Sequence, residues 1–280
     1  MRAVLLDGAI GTELIARGLD LTREPPEAWV LRRPEVLAAL HNAYVEAGAA
    51  VLQTNTFGGT RPRLAKYQLD GELIAVNREA VALARAAARG RPVYASVGPT
   101  GIDAFSSGAR DAMRAAYEEQ LAALEGVDGV SIETMLHPVE AQAALAAART
   151  VLPRARVIVS ATYALGDRGY QTPLGVPLDE MVRAIDGAGP DAIGVNCSLE
   201  ARKMLAVVRR VRELTALPVV ARPQGGPAEV ECRGPRRPVR VEDFVSGALA
   251  LVDLGVAAIG GCCGATPEHI RALAVALAGH

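Results

Sequence analysis

The chain has 280 residues, half of them hydrophobic, so it can bury a large core without disulfides, and one domain covering 1–280 is the economical organisation. Its 30 Lys and Arg balance 31 Asp and Glu to a formal net charge of −1 with no basic stripe, which argues against nucleic acid as a partner. No uncharged apolar run reaches about 18 residues, and Met1 leads into Val4-Leu5-Leu6-Asp7 without the zones of a signal peptide; the expectation is a soluble, cytoplasmic protein that does not engage a membrane.

In chain order, short β-branched or apolar runs occur at Val4 to Asp7, Ala50 to Asn55, Val93 to Gly98, Gly129 to Thr134, Val157 to Thr162, Ala192 to Cys197, Pro218 to Arg222 and Ala257 to Cys262. Between them lie Ala-, Leu-, Glu- and Arg-rich stretches of helical periodicity, such as Pro34 to Ala47, Glu72 to Ala88, Asp111 to Leu124, Pro138 to Thr150 and Leu199 to Leu214. Eight strand-helix alternations in roughly 250 residues predict a (β/α)8 TIM barrel rather than a doubly wound sheet. Each predicted strand ends on a polar, reactive or turn residue: Asp7, Asn55, Gly98, Glu133, Thr162, Cys197, Arg222 and Cys262. That rim is where barrel active sites are built. Gln171 to Pro177 and Gln224 to Pro238 read as loops shaping the mouth.

Four cysteines are too few for a disulfide scaffold, and in a reducing compartment clustered cysteines serve metals or catalysis. Cys197 closes the sixth strand, and Cys262 and Cys263 close the eighth. Adjacent strand residues face opposite sides, so Cys262 and Cys263 can share one ion only where the backbone turns, which Gly260, Gly261 and Gly264 permit. Three thiolates suit zinc, and a three-ligand zinc keeps a position open for catalysis. A substrate thiol in that position would be deprotonated and become a nucleophile, which implies thiol alkylation. The alternatives at this point are a closed, structural four-cysteine site completed by Cys232, a vicinal disulfide, or two small buried residues. His41, His137 and His269 fall within or at the starts of helices and read as surface or packing residues. Trp29 either lines the mouth or staples a loop to the barrel.

Asp7-Gly8-Ala9-Ile10-Gly11-Thr12-Glu13-Leu14, Gln53-Thr54-Asn55-Thr56-Phe57-Gly58, Gly98-Pro99-Thr100-Gly101, Glu133-Thr134-Met135, Gly194-Val195-Asn196-Cys197-Ser198 and Gly260-Gly261-Cys262-Cys263-Gly264 together resemble the homocysteine S-methyltransferase family. The likeness runs from about Leu6 to Leu273 in the right order. It implies a TIM barrel with Zn2+ held by Cys197, Cys262 and Cys263, transferring methyl to homocysteine to give methionine. It also implies that Asp7 and Glu133 meet the homocysteine ammonium, with backbone amides near Gly8 and Ala9 close to its carboxylate. Read from the residues alone, both acids sit at the catalytic rim, where a capping role is the other reading. Asn55 and Asn196 are weaker candidates, since an asparagine at a strand end is often a turn residue. The sequence departs from the usual pattern at Arg222-Pro223-Gln224-Gly225-Gly226, where many relatives carry Pro-Asn-Ala-Gly.

The resemblance leaves the donor open among S-methylmethionine, S-adenosylmethionine, betaine and methylcobalamin. None of the four histidines lies in an Asp-x-His-x-x-Gly context, and 280 residues hold the barrel but no folate or cobalamin modules. A small sulfonium or a separate methylcorrinoid protein is therefore the expected donor. Gly98 to Gly101 and Glu133 to Leu136 look most like the homocysteine-binding module of cobalamin-dependent methionine synthase, so a detached homocysteine-activating subunit is an alternative. A non-catalytic thiol- or zinc-binding barrel is another. A Schiff-base aldolase ranks last, because neither Lys66 nor Lys203, the only lysines, ends a strand.

Overall fold

The protein is described by a computed structural model over residues 3–167, 169–226 and 238–280. Cys232 and most of the loop expected over 224–238 lie outside the described residues. All eight predicted strands form: β1 (Val4–Leu5), β2 (Leu52–Gln53), β3 (Val93–Val97), β4 (Gly129–Met135), β5 (Arg156–Ala161), β8 (Ala192–Glu200), β9 (Val219–Gln224) and β10 (Ala258–Ile259). They make one parallel sheet in the order β1-β10-β9-β8-β5-β4-β3-β2. A parallel bridge between Leu6 and Val51, with the Ala50 N–H donating to Leu5 O at 2.8 Å, joins the two edges. The result is the expected TIM-barrel fold in a single α/β domain.

Strand alternation sorts the side chains into two environments. Outward residues such as Val93, Val97, Val130, Ile132, Val157, Val159, Ile193, Val195 and Ile259 join the large cluster formed with the helices. Inward residues Leu6, Val51, Ala192, Val220 and Ala258, with Tyr94 and Ile158, plug the barrel interior. Above this plug the next inward positions are small, including Ser96, Ser131, Ser160 and Gly194. A Cβ on Gly194 would lie 1.9 Å from Ser160 Oγ, so the glycine is what lets the two strands approach. One step higher the inward positions become Gln53, Glu133, Asn196 and Arg222, all buried, which carries the polarity of the mouth into the barrel.

Each barrel strand is followed by a helix, among them Pro34–Glu46, Leu73–Ala88, Pro138–Val151 and Pro267–Gly279. Three of these begin with proline at the first turn, where its missing N–H costs nothing. Several bounds differ from expectation, and β1 and β2 are two residues each where longer runs were expected. β10 is only two residues long, so Cys262 lies beyond the strand rather than within it. β8 runs on to Glu200, and its helix starts at Ala201 instead of Leu199. The glycine-rich segment after β5 folds into a small antiparallel hairpin of β6 (Ala164–Gly166) and β7 (Gly169–Gln171).

Candidate active site

Three sulfurs converge at the rim. The Sγ atoms of Cys197, Cys262 and Cys263 all lie within 4.8 Å of one another, and those of Cys197 and Cys263 are 3.6 Å apart. Alternation alone would turn Cys197 away from inward-facing Asn196. Its left-handed backbone (φ 59), followed by Ser198 (φ 55), redirects it to the mouth. The β8–β9 register shifts between Asn196 and Glu200, at this turn. Facing it, Thr134 also has a left-handed backbone (φ 60), where β4 loses register with β5. Such backbone is rare for a β-branched residue and clusters where a structure re-aims its side chains.

Cys262 and Cys263 share the site because the chain turns after Ile259. Cys262 N–H donates to Pro223 O at 2.9 Å, and Cys263 O accepts from Gly225 N–H at 2.8 Å. Glycine is required at Gly261, where a Cβ would meet the Ala265 side chain at 2.2 Å. Hydrogen bonding from Cys197 and Cys263, helped by the charge of Arg222, pushes the Cys262 thiol down, while Cys262 and Cys263 push Cys197 up. Four ligands in a tetrahedron about zinc, with bonds of about 2.3 Å, stand roughly 3.8 Å apart, so these separations and this soft donor set are compatible with zinc.

The two rim carboxylates have different surroundings. Asp7 is wholly buried: one oxygen accepts from Arg222 Nη2 at 2.9 Å and the other from the Gln53 N–H at 2.6 Å. Burial raises its pKa against the opposing pull of Arg222 and Gln53. Glu133 faces the cavity and accepts from the side-chain amide of Gln53. Burial lifts its pKa to about 7, with a further push from Cys262, against the stabilising effects of Arg222, Ser131 and Gln53. Gln53 thus holds both acids, through its backbone and its side chain.

A cavity of about 420 Å3 opens over the sulfurs, within the range of small-molecule sites. Gly8, Ala9, Glu133, Arg222 and the three cysteines line it, whereas Asp7 is not among its lining residues. Ala9 already donates its N–H to Ala265 O at 2.9 Å. Asn196 sits behind the sulfurs, its Nδ2 3.8 Å from Cys262 Sγ. Asn55 lines the cavity and ties Pro26 O at 2.7 Å. The histidines stay out of the sulfur cluster: His137 Nδ1 accepts from Val139 N–H at its helix start, His269 shares a capping box with Thr266, and His41 is buried. Trp29 is a staple, buried with its Nε1 donating to Glu24 and Arg33 over its ring, and it does not line the cavity.

Sequence reasoning assigned no role to Gln53, Thr134 or Glu27. Glu27 is a buried acid in the outer cavity wall whose carboxylate accepts from the Gly58 N–H at 2.6 Å. A usable signal existed for Gln53, since the spacing Val51, Gln53 places it inward one step above the apolar plug.

A family model described as homocysteine S-methyltransferase matches residues 4–277. The chain is 31% identical over 301 aligned positions to methionine synthase of Mycobacterium tuberculosis and 29% identical over 299 to that of Mycobacterium leprae. These alignments cover 99% of this chain but 25% and 24% of the relatives, so the chain spans about a quarter of the curated relatives it matches. Among solved structures, the metallated form of the homocysteine methyltransferase MmuM from Escherichia coli superposes with a TM-score of 0.80 at 28% identity, covering 99% of this chain and 96% of that one.

Proposed function

Because the chain belongs to the homocysteine S-methyltransferase family, we propose that its barrel, 1–280, binds homocysteine and methylates its sulfur to give methionine. The convergence of three cysteine sulfurs on one cavity beside Glu133 is the observation that carries this reading. Cys197, Cys262 and Cys263 would hold zinc, which when bound supplies the positive charge that keeps a substrate thiol deprotonated at neutral pH. The chain's own groups do the rest. Glu133, fixed by Gln53, pairs with the substrate ammonium and so sets the thiol against the sulfurs. Asn196 steadies Cys262 from behind. Asp7 contributes from within the wall, holding Arg222 in place. The buried walls keep water from the thiolate, so the attack is directed at a methyl carbon.

The donor in this reading is a small sulfonium, S-methylmethionine or S-adenosylmethionine, whose departing group is a neutral thioether. A second reading, a homocysteine-activating subunit served by a separate methylcorrinoid protein, is favoured by one observation: the methionine synthases it matches are about four times its length. No helix among the described residues is long and apolar enough to cross a membrane, in keeping with the cytoplasmic location we propose. Zinc-loaded protein given homocysteine and each sulfonium should form methionine, and the Cys197→Ser variant should not. Methionine formed only with a methylcorrinoid protein would select the second reading, and formation by Cys197→Ser at the wild-type rate would refute both.

A further inference from the structure

Arg222 is an inward residue of β9, two positions before that strand ends at Gln224, and only 4% of it is exposed. Three protein acceptors hold its guanidinium. Nη2 donates to Asp7 Oδ1 at 2.9 Å and reaches Gly8 O at 3.4 Å, and Nε donates to Gly261 O at 3.1 Å. These bonds fix the plane of the fork. The Nη1 amino group has no hydrogen-bond partner among the described residues, and Arg222 lines the cavity together with Glu133 and the cysteines.

A buried guanidinium with two donors left over is an incomplete arrangement, and a planar carboxylate is the partner its geometry suits. Asp7 does not fill that place. Its two oxygens are committed to Nη2 and to the Gln53 N–H, so it acts as the anchor of the guanidinium. Of the backbone amides at the first strand's end, Ala9 N–H is spent on Ala265 O. Glu133 and Arg222 therefore present an acid and a base to the same cavity, beside the three sulfurs.

We propose that Arg222 forms a carboxylate-binding subsite next to the sulfur cluster, receiving through Nη1 the α-carboxylate of an amino-acid thiol whose ammonium pairs with Glu133. This inference rests on the reading of the site as one for homocysteine. It makes Arg222 a specificity determinant: the site selects thiols that carry both charges, and a thiol amine lacking the carboxylate leaves the guanidinium unpaired.

The test is calorimetric binding to zinc-loaded protein of homocysteine, of 3-mercaptopropylamine, which lacks only the carboxylate, and of 4-mercaptobutanoate, which lacks only the ammonium. Wild type should prefer homocysteine over the amine by on the order of 10- to 100-fold, the worth of a charge-assisted hydrogen bond. In Arg222→Met that preference should largely disappear, while the preference over 4-mercaptobutanoate persists. A purely structural Arg222 would weaken all three thiols alike. Asp7→Asn, which retains an acceptor for the guanidinium, should keep the preference over the amine. Equal wild-type affinity for homocysteine and 3-mercaptopropylamine overturns the subsite and leaves the homocysteine reading standing; this comparison needs no variant to fold. Full preference in a folded Arg222→Met also overturns the subsite, and absence of binding by any of the three thiols overturns both.

Discussion

Asn196 and Thr134 clasp each other across the barrel mouth: the Thr134 N–H donates to Asn196 Oδ1 at 2.9 Å, and Asn196 Nδ2 donates to Thr134 Oγ1 at 2.8 Å. The pair joins β4 to β8 where the backbone at Thr134 and Cys197 is left-handed. One residue of the clasp precedes a site cysteine, and the other follows Glu133. The strain of both turns is thereby held in one place.

Loss of this clasp should loosen the metal before it unfolds the barrel. Asn196→Ala removes the partner of the half-buried Thr134 N–H and the group behind Cys262, and metal affinity should fall roughly 10- to 100-fold, as for other groups that orient ligands from behind. Competition with a chromophoric chelator measures it, and an unchanged affinity would mean that the left-handed turns hold themselves.

The zinc assignment predicts a stoichiometry. Purified protein should bind about one zinc per chain, the number a single open three-thiolate site holds. Cys197→Ser, Cys262→Ser and Cys263→Ser should each lose it, and Cys232→Ser should not. Elemental analysis of the four variants decides between an open site and a closed one. Zinc lost from Cys232→Ser as fully as from Cys197→Ser would make the site closed and structural.

Glu133→Gln should weaken homocysteine binding by on the order of 10- to 100-fold, the worth of a charge-assisted hydrogen bond. Zinc content should be unchanged, because Glu133 touches the substrate and not the metal in this reading. Calorimetry giving wild-type affinity would remove Glu133 from the site.

Acid stability carries a distinct prediction at His41, which burial holds at a pKa of about 4, below its ordinary 6.5. The folded state resists protonating this ring and the unfolded state does not. The unfolded chain therefore binds more protons between those values. The contribution is fully present above pH 6.5 and is lost as pH falls toward about 4, to a total of roughly 3 kcal/mol. Urea unfolding at pH 7.5 and pH 5 should show His41→Leu losing less stability over that interval than wild type. Parallel losses would show that His41 does not drive it.

The barrel was legible because its strands are compact β-branched runs closed by polar residues, and the cysteines because two motifs at strand ends must share a rim. What escaped reading is what depends on three dimensions. The Asp7–Arg222 pair joins residues 215 positions apart, and no spacing rule links an acid on the first strand with a base on the seventh. It matters, since Asp7, expected to meet the substrate, has one carboxylate oxygen taken by Arg222 and the other by the Gln53 N–H. The hairpin after β5 went unread because the residues of its two strands are half-buried or exposed, as Leu165 in the middle of β6 is, and so lack the apolar alternation that marks a strand. The left-handed backbone at Thr134 and Cys197 has no local signal, as neither residue favours it; the surrounding contacts impose it.

The barrel closes by bringing its first strand between its last and its second, through β1 against β10 and the Leu6–Val51 bridge. This sets an order on biosynthesis. A growing chain can bridge Leu6 to Val51 and pair β2 with β3 and β3 with β4 as they emerge, but the other edge of β1 stays open until residues 258–259 are made. Two of the three sulfurs lie beyond those residues, and the Gly264 N–H to Thr12 Oγ1 contact spans 252 positions. The three-sulfur cluster is thus a property of the closed ring, reached after the slow, long-range closure that governs folding rates. Until Cys263 has left the ribosome, no part of the nascent chain can assemble the three-sulfur cluster.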